Sequence, residues 1–236
     1  MSSPLGLPHR HQRCTASTNA IARALAAAGA PHGTLVTADE QLAGRGRQGR
    51  RWHAPAGQAL LMSLVVRDPP PMLAFAAAVA VAEIVGADAA IKWPNDVFSK
   101  GRKVAGILIE ARPQQAWAVL GIGLNVAVEI DQLPSELRAS AGTLGLGPES
   151  IEPTLCELLV ELERWLAMPA RAVRDAWSAR DALAGQKVGW GGGEGIASGI
   201  DDSGRLVVQT AAGVTALNAG EVHLGGCGEK PTAGGT

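Results

Sequence analysis

Residues 72–85, MLAFAAAVAVAEIV, carry one charge, Glu83, and no polar face. The run is alanine-rich and follows three prolines at 69–71, which predicts a helix. A helix that is apolar all round cannot lie on a surface, so the rest of the chain has to cover it. It also stops short of the roughly 20 residues needed to cross a bilayer. A sheet can supply that cover, and strand candidates surround the helix.

Residues 33–38 and 60–66 read as strands, with a glycine- and arginine-rich loop at 40–56 between them. Ahead of them, STNAIARALAAA at 17–28 predicts a helix with a polar start, ended by Gly29 and Pro31. Residues 89–93, 104–110 and 117–126 read as further strands, the first two flanking a turn at 99–102. Two helices follow at 153–167 and 170–183, the first with Leu155, Leu158, Leu159, Leu162, Trp165 and Leu166 at helical spacing. Grouped strands and grouped helices predict an α+β fold, a mixed sheet with flanking helices over residues 1–184. From Gly185 the chain changes character. Short strand candidates at 187–190, 195–200, 206–209 and 214–217, separated by Gly and Asp-Ser-Gly turns, predict a small β-barrel over 185–225. Residues 226–236 read as a flexible tail.

A formal charge of −1 gives no global field for nucleic acid or an anionic membrane. No apolar h-region follows the start, and three cysteines at 14, 156 and 227 form no C-x-x-C pair, so a reducing, cytoplasmic setting is expected. Against this neutral background, GRGRQGRRW at 44–52 holds four arginines and three glycines and no acid. Glycines let backbone N–H groups approach an anion, and guanidinium forks match phosphate oxygens. The segment therefore suggests phosphate binding and a lid that ligand orders. A solvated basic loop or an RNA contact would look similar. It is not a Walker motif, which needs G-x-x-x-x-G-K-[ST].

Three further segments have chemical interest. In KWPND, 92–96, Pro94 ends a strand and puts Asn95 and Asp96 in a turn, where they can address a ligand or simply close an Asx turn. In GRKVAGILIE, 101–110, Lys103 precedes an apolar strand in which Gly106 permits close approach. GIGLN occupies 121–125.

In this order, S-T-N at 17–19, GRGRQGRRW, KWPND, RKVAGILIE at 102–110 and GIGLN closely resemble the biotin protein ligases. The resemblance spans about Gly6 to Leu183 and continues through GQKV at 185–188 and GEV at 220–222, which look like that family's SH3-like domain. It implies a catalytic domain of the class II synthetase-like, biotin/lipoate ligase type. It also implies an enzyme that makes biotinyl-5′-AMP from biotin and MgATP and passes biotin to a lysine of a biotin carboxyl carrier domain. By the same resemblance Ser17, Thr18, Asn19, Gln41, Arg45, Gly46, Arg47, Lys103 and Gly106 contact biotin. Gly44, Arg45, Arg47, Gly49, Arg50, Trp52, Asn95 and Asn125 contact ATP or the adenylate. Lys103, Arg47 and Asp96 are the catalytic candidates, with Asp96 as general base for the acceptor lysine. No protein metal site is expected beyond the Mg²⁺ that travels with ATP.

Neutral hydroxyls and amides suit the uncharged ureido ring, and fixed cations suit the meeting of a carboxylate with a phosphate. Lys103 ranks above Lys92 as the partner of the biotin carboxylate. Only 16 residues precede Ser17, so no winged helix-turn-helix and no operator binding are expected. Leu224 and Gly225 stand where some relatives carry a basic residue after the GE motif. A monomer or a homodimer fits equally. Two alternatives remain at this point: a lipoate or octanoate ligase of the same fold, and an RNA-binding module. Eight Phe and Trp side chains and no Tyr make a poor base-stacking platform for the second.

Overall fold

The apolar helix finds its cover in a seven-stranded sheet on one side and two helices on the other. The computed structural model describes residues 5–218 and 222–224. Its elements run β1 (His9–Thr15), α1 (Thr18–Ala27), β2 (Leu35–Gln41), β3 (Leu60–Arg67), α2 (Leu73–Val85), β4 (Ala89–Lys92), β5 (Asp96–Ser99), β6 (Arg102–Arg112) and β7 (Trp117–Leu124). Then come α3 (Ser135–Arg138), α4 (Ile151–Leu166), α5 (Ala170–Ser178), β8 (Lys187–Trp190), β9 (Gly193–Ile200), β10 (Leu206–Thr210), β11 (Gly213–Leu217) and β12 (His223–Leu224). The large sheet has the order β1-β2-β3-β7-β6-β5-β4. Only β1 and β2 are parallel, and α1 connects them; every other pairing is antiparallel.

Period-two alternation divides the sheet into two faces. Leu60, Met62, Leu64 and Val66 of β3 and Ala118, Leu120, Ile122 and Leu124 of β7 join α2, α4 and α5 in the main core. Residues 76–82 of α2 are at most 1% exposed, and five of the seven are alanine, so the helix sits close on the strands. Phe75 and Trp177 meet edge to face at 5.7 Å between α2 and α5. On the opposite face α1 sets Ala22 and Ala26 against Val36, Val65, Trp117 and Val119. The α+β architecture read from the sequence is the one observed.

The differences have local causes. β1, HRHQRCT, was absent from the predicted strands because it lacks an apolar alternation; it is an edge strand held by β2 alone, exposed over most of its length. α5 ends at Ser178 rather than 183, because 180–182 leave the helix to pair with β4: Ile91 N donates to Arg180 O at 2.7 Å and Ala182 N to Ile91 O at 3.0 Å. That segment covers the β4 edge. The loop at 40–56 starts after Gln41, and Asp96 opens β5 opposite Lys92 instead of lying in the turn. The β5–β6 turn is a two-residue one, with Lys100 at φ 49° and Gly101 at φ 74°.

Residues 187–224 give a five-stranded antiparallel sheet, β11-β10-β9-β8-β12, of the small SH3-like kind expected. Val188, Ala197, Leu206 and Val208 from it join the main core cluster, so the small sheet is packed onto the large layer. The tail at 226–236 and most of the GEV segment lie outside the described residues. Among the described residues no helix is long and apolar enough to cross a membrane.

The close seat of α2 is testable. Ala80 is 0% exposed, so Ala80→Leu must overpack the layer and should lower the unfolding free energy by about 1–3 kcal/mol in urea titration. Unchanged stability would show that α2 has room to move.

Candidate active site

The face of the sheet that α1 leaves uncovered is sunken, because its inward positions are small. In one row of the ladder Gly123 pairs with Gly106, which pairs with Asp96; in the next, Ser63 pairs with Gly121, which pairs with Leu108. A Cβ on Gly123 would come within 2.5 Å of the Trp52 ring, one on Gly106 within 3.0 Å of it, and one on Gly121 within 2.1 Å of Asn19 Oδ1. Three glycines thus make a floor on which one aromatic ring and one amide lie flat. Over it opens a cavity of about 330 Å³.

At one end the cavity is polar and neutral. Ser17, Thr18 and Asn19 open α1 and are at most 4% exposed. Asn19 Nδ2 donates to Glu110 Oε2 at 2.9 Å, which fixes the orientation of the amide. Its Oδ1 lies 2.5 Å from Ser63 Oγ and can only accept, so the Ser63 proton points there. Thr18 Oγ1 sits between Ser63 Oγ (2.7 Å) and Gln41 Oε1 (3.1 Å), and the Thr18 amide also donates to Gln41 Oε1 at 2.7 Å. This chain fastens the Gln41 carbonyl and leaves its Nε2 as a donor toward the cavity. The Ser17 hydroxyl is buried and makes no hydrogen bond. A buried polar atom costs stability unless a partner arrives, which marks it as a group waiting for a ligand.

The other end is cationic. The basic loop folds back on itself as a small hairpin: Arg45 bridges Arg51, Gly46 N donates to Arg50 O at 2.7 Å and Trp52 N to Gly44 O at 3.0 Å. Gly44 is obligatory because a Cβ would meet the Trp52 carbonyl at 2.5 Å. Arg47 NH1 donates to Asn95 Oδ1 at 3.1 Å, while Asn95 Nδ2 donates to Ile107 O at 2.9 Å. Lys103 Nζ lies 2.7 Å from Asp96 Oδ1 and 5.7 Å from the centroid of Trp52. Arg45, Arg47, Arg50, Arg51 and Lys103 line the cavity against one carboxylate, Asp96. Such a surplus attracts a polyanion.

Nearly all the sequence-derived candidates meet here. Ser17, Thr18, Asn19, Gln41, Arg45, Gly46, Arg47, Arg50, Trp52, Asn95, Asp96, Lys103 and Gly106 line the one cavity. Gly44 and Gly49 lie on the outer side of the same loop. Lys92 does not line it, and neither does Asn125. Asn125, expected at the nucleotide, donates its Nδ2 to Gly142 O at 2.8 Å, and its Oδ1 is a buried acceptor without a partner. It pins 142–144 alongside β7, and that segment in turn holds the Lys103 backbone, with Lys103 N to Ser140 O at 2.8 Å and Gly142 N to Lys103 O at 2.7 Å. Asp96, expected as the general base, is the resident counter-ion of Lys103.

Sequence reasoning missed Ser63, the floor role of Gly121 and Gly123, Leu137 and Ser140 at the cavity edge, and Glu110. Glu110 also takes Arg23 at 3.0 Å and Arg45 at 3.4 Å, so one carboxylate joins α1, β6 and the basic loop. Trp52 and this tether anchor a loop that the sequence presents as weakly held. A lone serine in LLMSLVVR and a glutamate at the end of RKVAGILIE were the available signals.

Two families match in sequence: the biotin/lipoate A/B protein ligase family over residues 12–126 and the biotin protein ligase C terminal domain over 192–225. The chain is 38% identical to the biotin–[acetyl-CoA-carboxylase] ligase of Paracoccus denitrificans, covering 90% of itself and 98% of that protein. It is also 38% identical to the Mycobacterium tuberculosis H37Rv enzyme of the same name, covering 89% and 86%. Against the bifunctional ligase/repressor BirA of Bacillus subtilis 168 the identity is 34%, over 89% of this chain and 71% of that one. Among solved structures, the biotin protein ligase of Aquifex aeolicus in complex with biotin and ATP superposes with a TM-score of 0.74 at 25% identity, covering 92% and 97%.

If Trp52 on its glycine floor secures the basic loop, Gly123→Ala should release it. Trypsin cleavage within 45–51 is expected to rise about tenfold, the effect of losing roughly 1.4 kcal/mol from the closed form. An unchanged cleavage rate would show that Glu110 alone holds the loop.

Proposed function

This chain belongs to the biotin protein ligase family, and we propose that it activates biotin with ATP and transfers it to a lysine of a biotin carboxyl carrier domain. The observation that carries the assignment is one cavity with a neutral hydrogen-bonding end and a cationic end, separated by a glycine floor. The ureido ring of biotin needs donors and acceptors without charge, which Ser17, Thr18 and Gln41 offer; a dithiolane, the corresponding end of lipoate, needs none. Apolar lining such as Met62, Ile107 and Ile122 suits the bicyclic ring and valeryl chain. Lys103, which lines the same cavity, is the cation offered to the carboxylate of that valeryl chain.

In the first step a biotin carboxylate oxygen attacks the α-phosphorus of ATP. A carboxylate–phosphate anhydride forms, the bond to the β-phosphate bridging oxygen breaks, and pyrophosphate leaves with the electron pair. Two anions must meet, so Lys103 must exchange Asp96 for biotin, and Arg47, aimed by Asn95, must stabilise charge on the transferring phosphate. Both groups are preset by the protein rather than recruited. In the second step the acceptor amine attacks the biotinyl carbonyl carbon, the C–O bond to AMP breaks, and an amide forms. Asp96, released from Lys103 when biotin binds, can take the proton the amine loses.

Magnesium is expected to arrive with the nucleotide. Among the described residues no group of three or more His, Cys, Asp or Glu side chains could hold a metal, and the cavity has Asp96 alone. An ion carried in on the phosphates would meet Asp96 there. Its contribution would be to neutralise phosphate charge.

The direct test is to incubate the chain with biotin, MgATP and a biotin carboxyl carrier domain. The carrier should gain the mass of one biotinyl group; an unmodified carrier overturns the proposal. Within it, Lys103→Ala should weaken biotin binding by about one to two decades, since a hydrogen bond to a charged group contributes roughly 1.5–3 kcal/mol. Lys92→Ala should leave biotin affinity in place. Calorimetry showing the reverse pattern would reassign the carboxylate partner. Arg47→Ala should slow adenylate formation by about 10² to 10³, the usual order for one such donor, and an unchanged rate would remove Arg47 from the chemistry.

A further inference from the structure

The turn between β9 and β10 reaches the site layer without entering the cavity. Asp201 closes it: Oδ1 accepts from the Ser203 and Arg205 amides at 2.9 Å each, and Oδ2 from Arg205 Nε at 2.7 Å. Gly204, at φ 75°, stands where this turn meets the catalytic layer, and a Cβ on it would lie 2.4 Å from Phe75 Cε2. Its backbone therefore rests directly on the aromatic ring, in a conformation that L side chains resist. Arg174 of α5 pairs with Asp202 and ties the same turn from the side.

The Gly204 carbonyl accepts a hydrogen bond from Trp93 Nε1 at 3.0 Å, and Trp93 is 2% exposed. The only polar atom of that indole is thus satisfied by the backbone of the small sheet. Trp93 begins the 93–95 turn, whose Asn95 orients Arg47 and which is followed at once by Asp96, the counter-ion of Lys103. A groove of about 390 Å³ runs alongside, bordered by Phe75, Trp93, Gly204 and Arg205, and it meets the substrate cavity at Arg47 and Asn95. Among the described residues, none of the side chains that line the cavity comes from the small sheet.

From this path we infer that Gly204 is a positioning residue for adenylate formation: by seating Trp93 it fixes the turn that aims Arg47, and through Asp96 Lys103, at the transferring phosphate. The inference rests on the ligase assignment above. It gives the small sheet a part in the first chemical step that needs no basic residue from it.

The test is biotin-dependent exchange of pyrophosphate into ATP, measured for the full chain, Gly204→Ala, Trp93→Phe and the double variant, with biotin affinity by calorimetry and folding at the assay temperature by circular dichroism. Gly204→Ala lifts the turn off Phe75; Trp93→Phe removes the N–H. Each should lower kcat about tenfold, the order for one displaced donor, with biotin affinity within about twofold because Ser17, Thr18 and Gln41 are untouched. The double variant should fall no further than the worse single, since either change already breaks the same contact. A kcat unchanged in both singles, a double variant whose losses multiply, or a loss confined to biotin affinity would overturn the inference. Should Gly204→Ala unfold, Trp93→Phe alone decides. A wild-type chain without biotin-dependent exchange would overturn the ligase assignment itself, and this inference with it.

Discussion

Two adjacent rungs of the large sheet lack side chains where the rest of the sheet is packed, and the remainder of the site depends on that gap. On the α2 face, strands β3, β6 and β7 present an unbroken apolar surface to an alanine-rich helix. On the other face, Gly106 and Gly123 in one rung and Gly121 beside Ser63 in the next leave a trough. Had any of the three carried a methyl group, Trp52 or Asn19 would have had to move. A close-packed protein tolerates such a hollow only where something else fills it. Here the filling is one indole and one amide from segments that also carry the binding groups.

Electrostatics then separates the two ends. Glu110 stands behind the floor and draws Arg23, Arg45 and Asn19 together, so a charge outside the cavity orients a neutral donor and restrains a cationic loop at the same time. Asp96 does the corresponding work for Lys103. Arg45 and Lys103 are therefore each held by a resident anion, and Arg47 by the neutral Asn95 amide, until a substrate anion arrives. Stored charge pairs of this kind keep the donors preorganised, which is where electrostatic catalysis gains most. The small sheet contributes a backbone carbonyl to the same arrangement rather than a charge.

Much of this was legible in the sequence, for physical reasons that differ by segment. The burial of α2 follows from an absent polar face, and the anion-binding nature of 44–52 from its arginines and glycines. The meeting of S-T-N, KWPND and GIGLN in one place was carried by their combined order, since each segment alone fits an ordinary turn or strand. What stayed hidden involves pairings between distant residues. β1 has no apolar alternation to announce it, and its pairing comes only from β2. Ser63 looks like a polar interruption in an apolar strand until Asn19 lies over it. Asn125 belongs to the GIGLN segment, yet its amide turns away to hold Gly142. Asp96 reads as a free carboxylate because the ion pair with Lys103 depends on the β5–β6 register.

The neutral end of this cavity is proposed to select biotin while the cationic end joins its carboxylate to the α-phosphate of ATP. Comparing pyrophosphate exchange into ATP with biotin, with lipoate and with no carboxylic acid tests both halves in one assay. Exchange that requires biotin and is not supported by lipoate is the predicted result. Exchange driven by lipoate, or proceeding without any added acid, would contradict it.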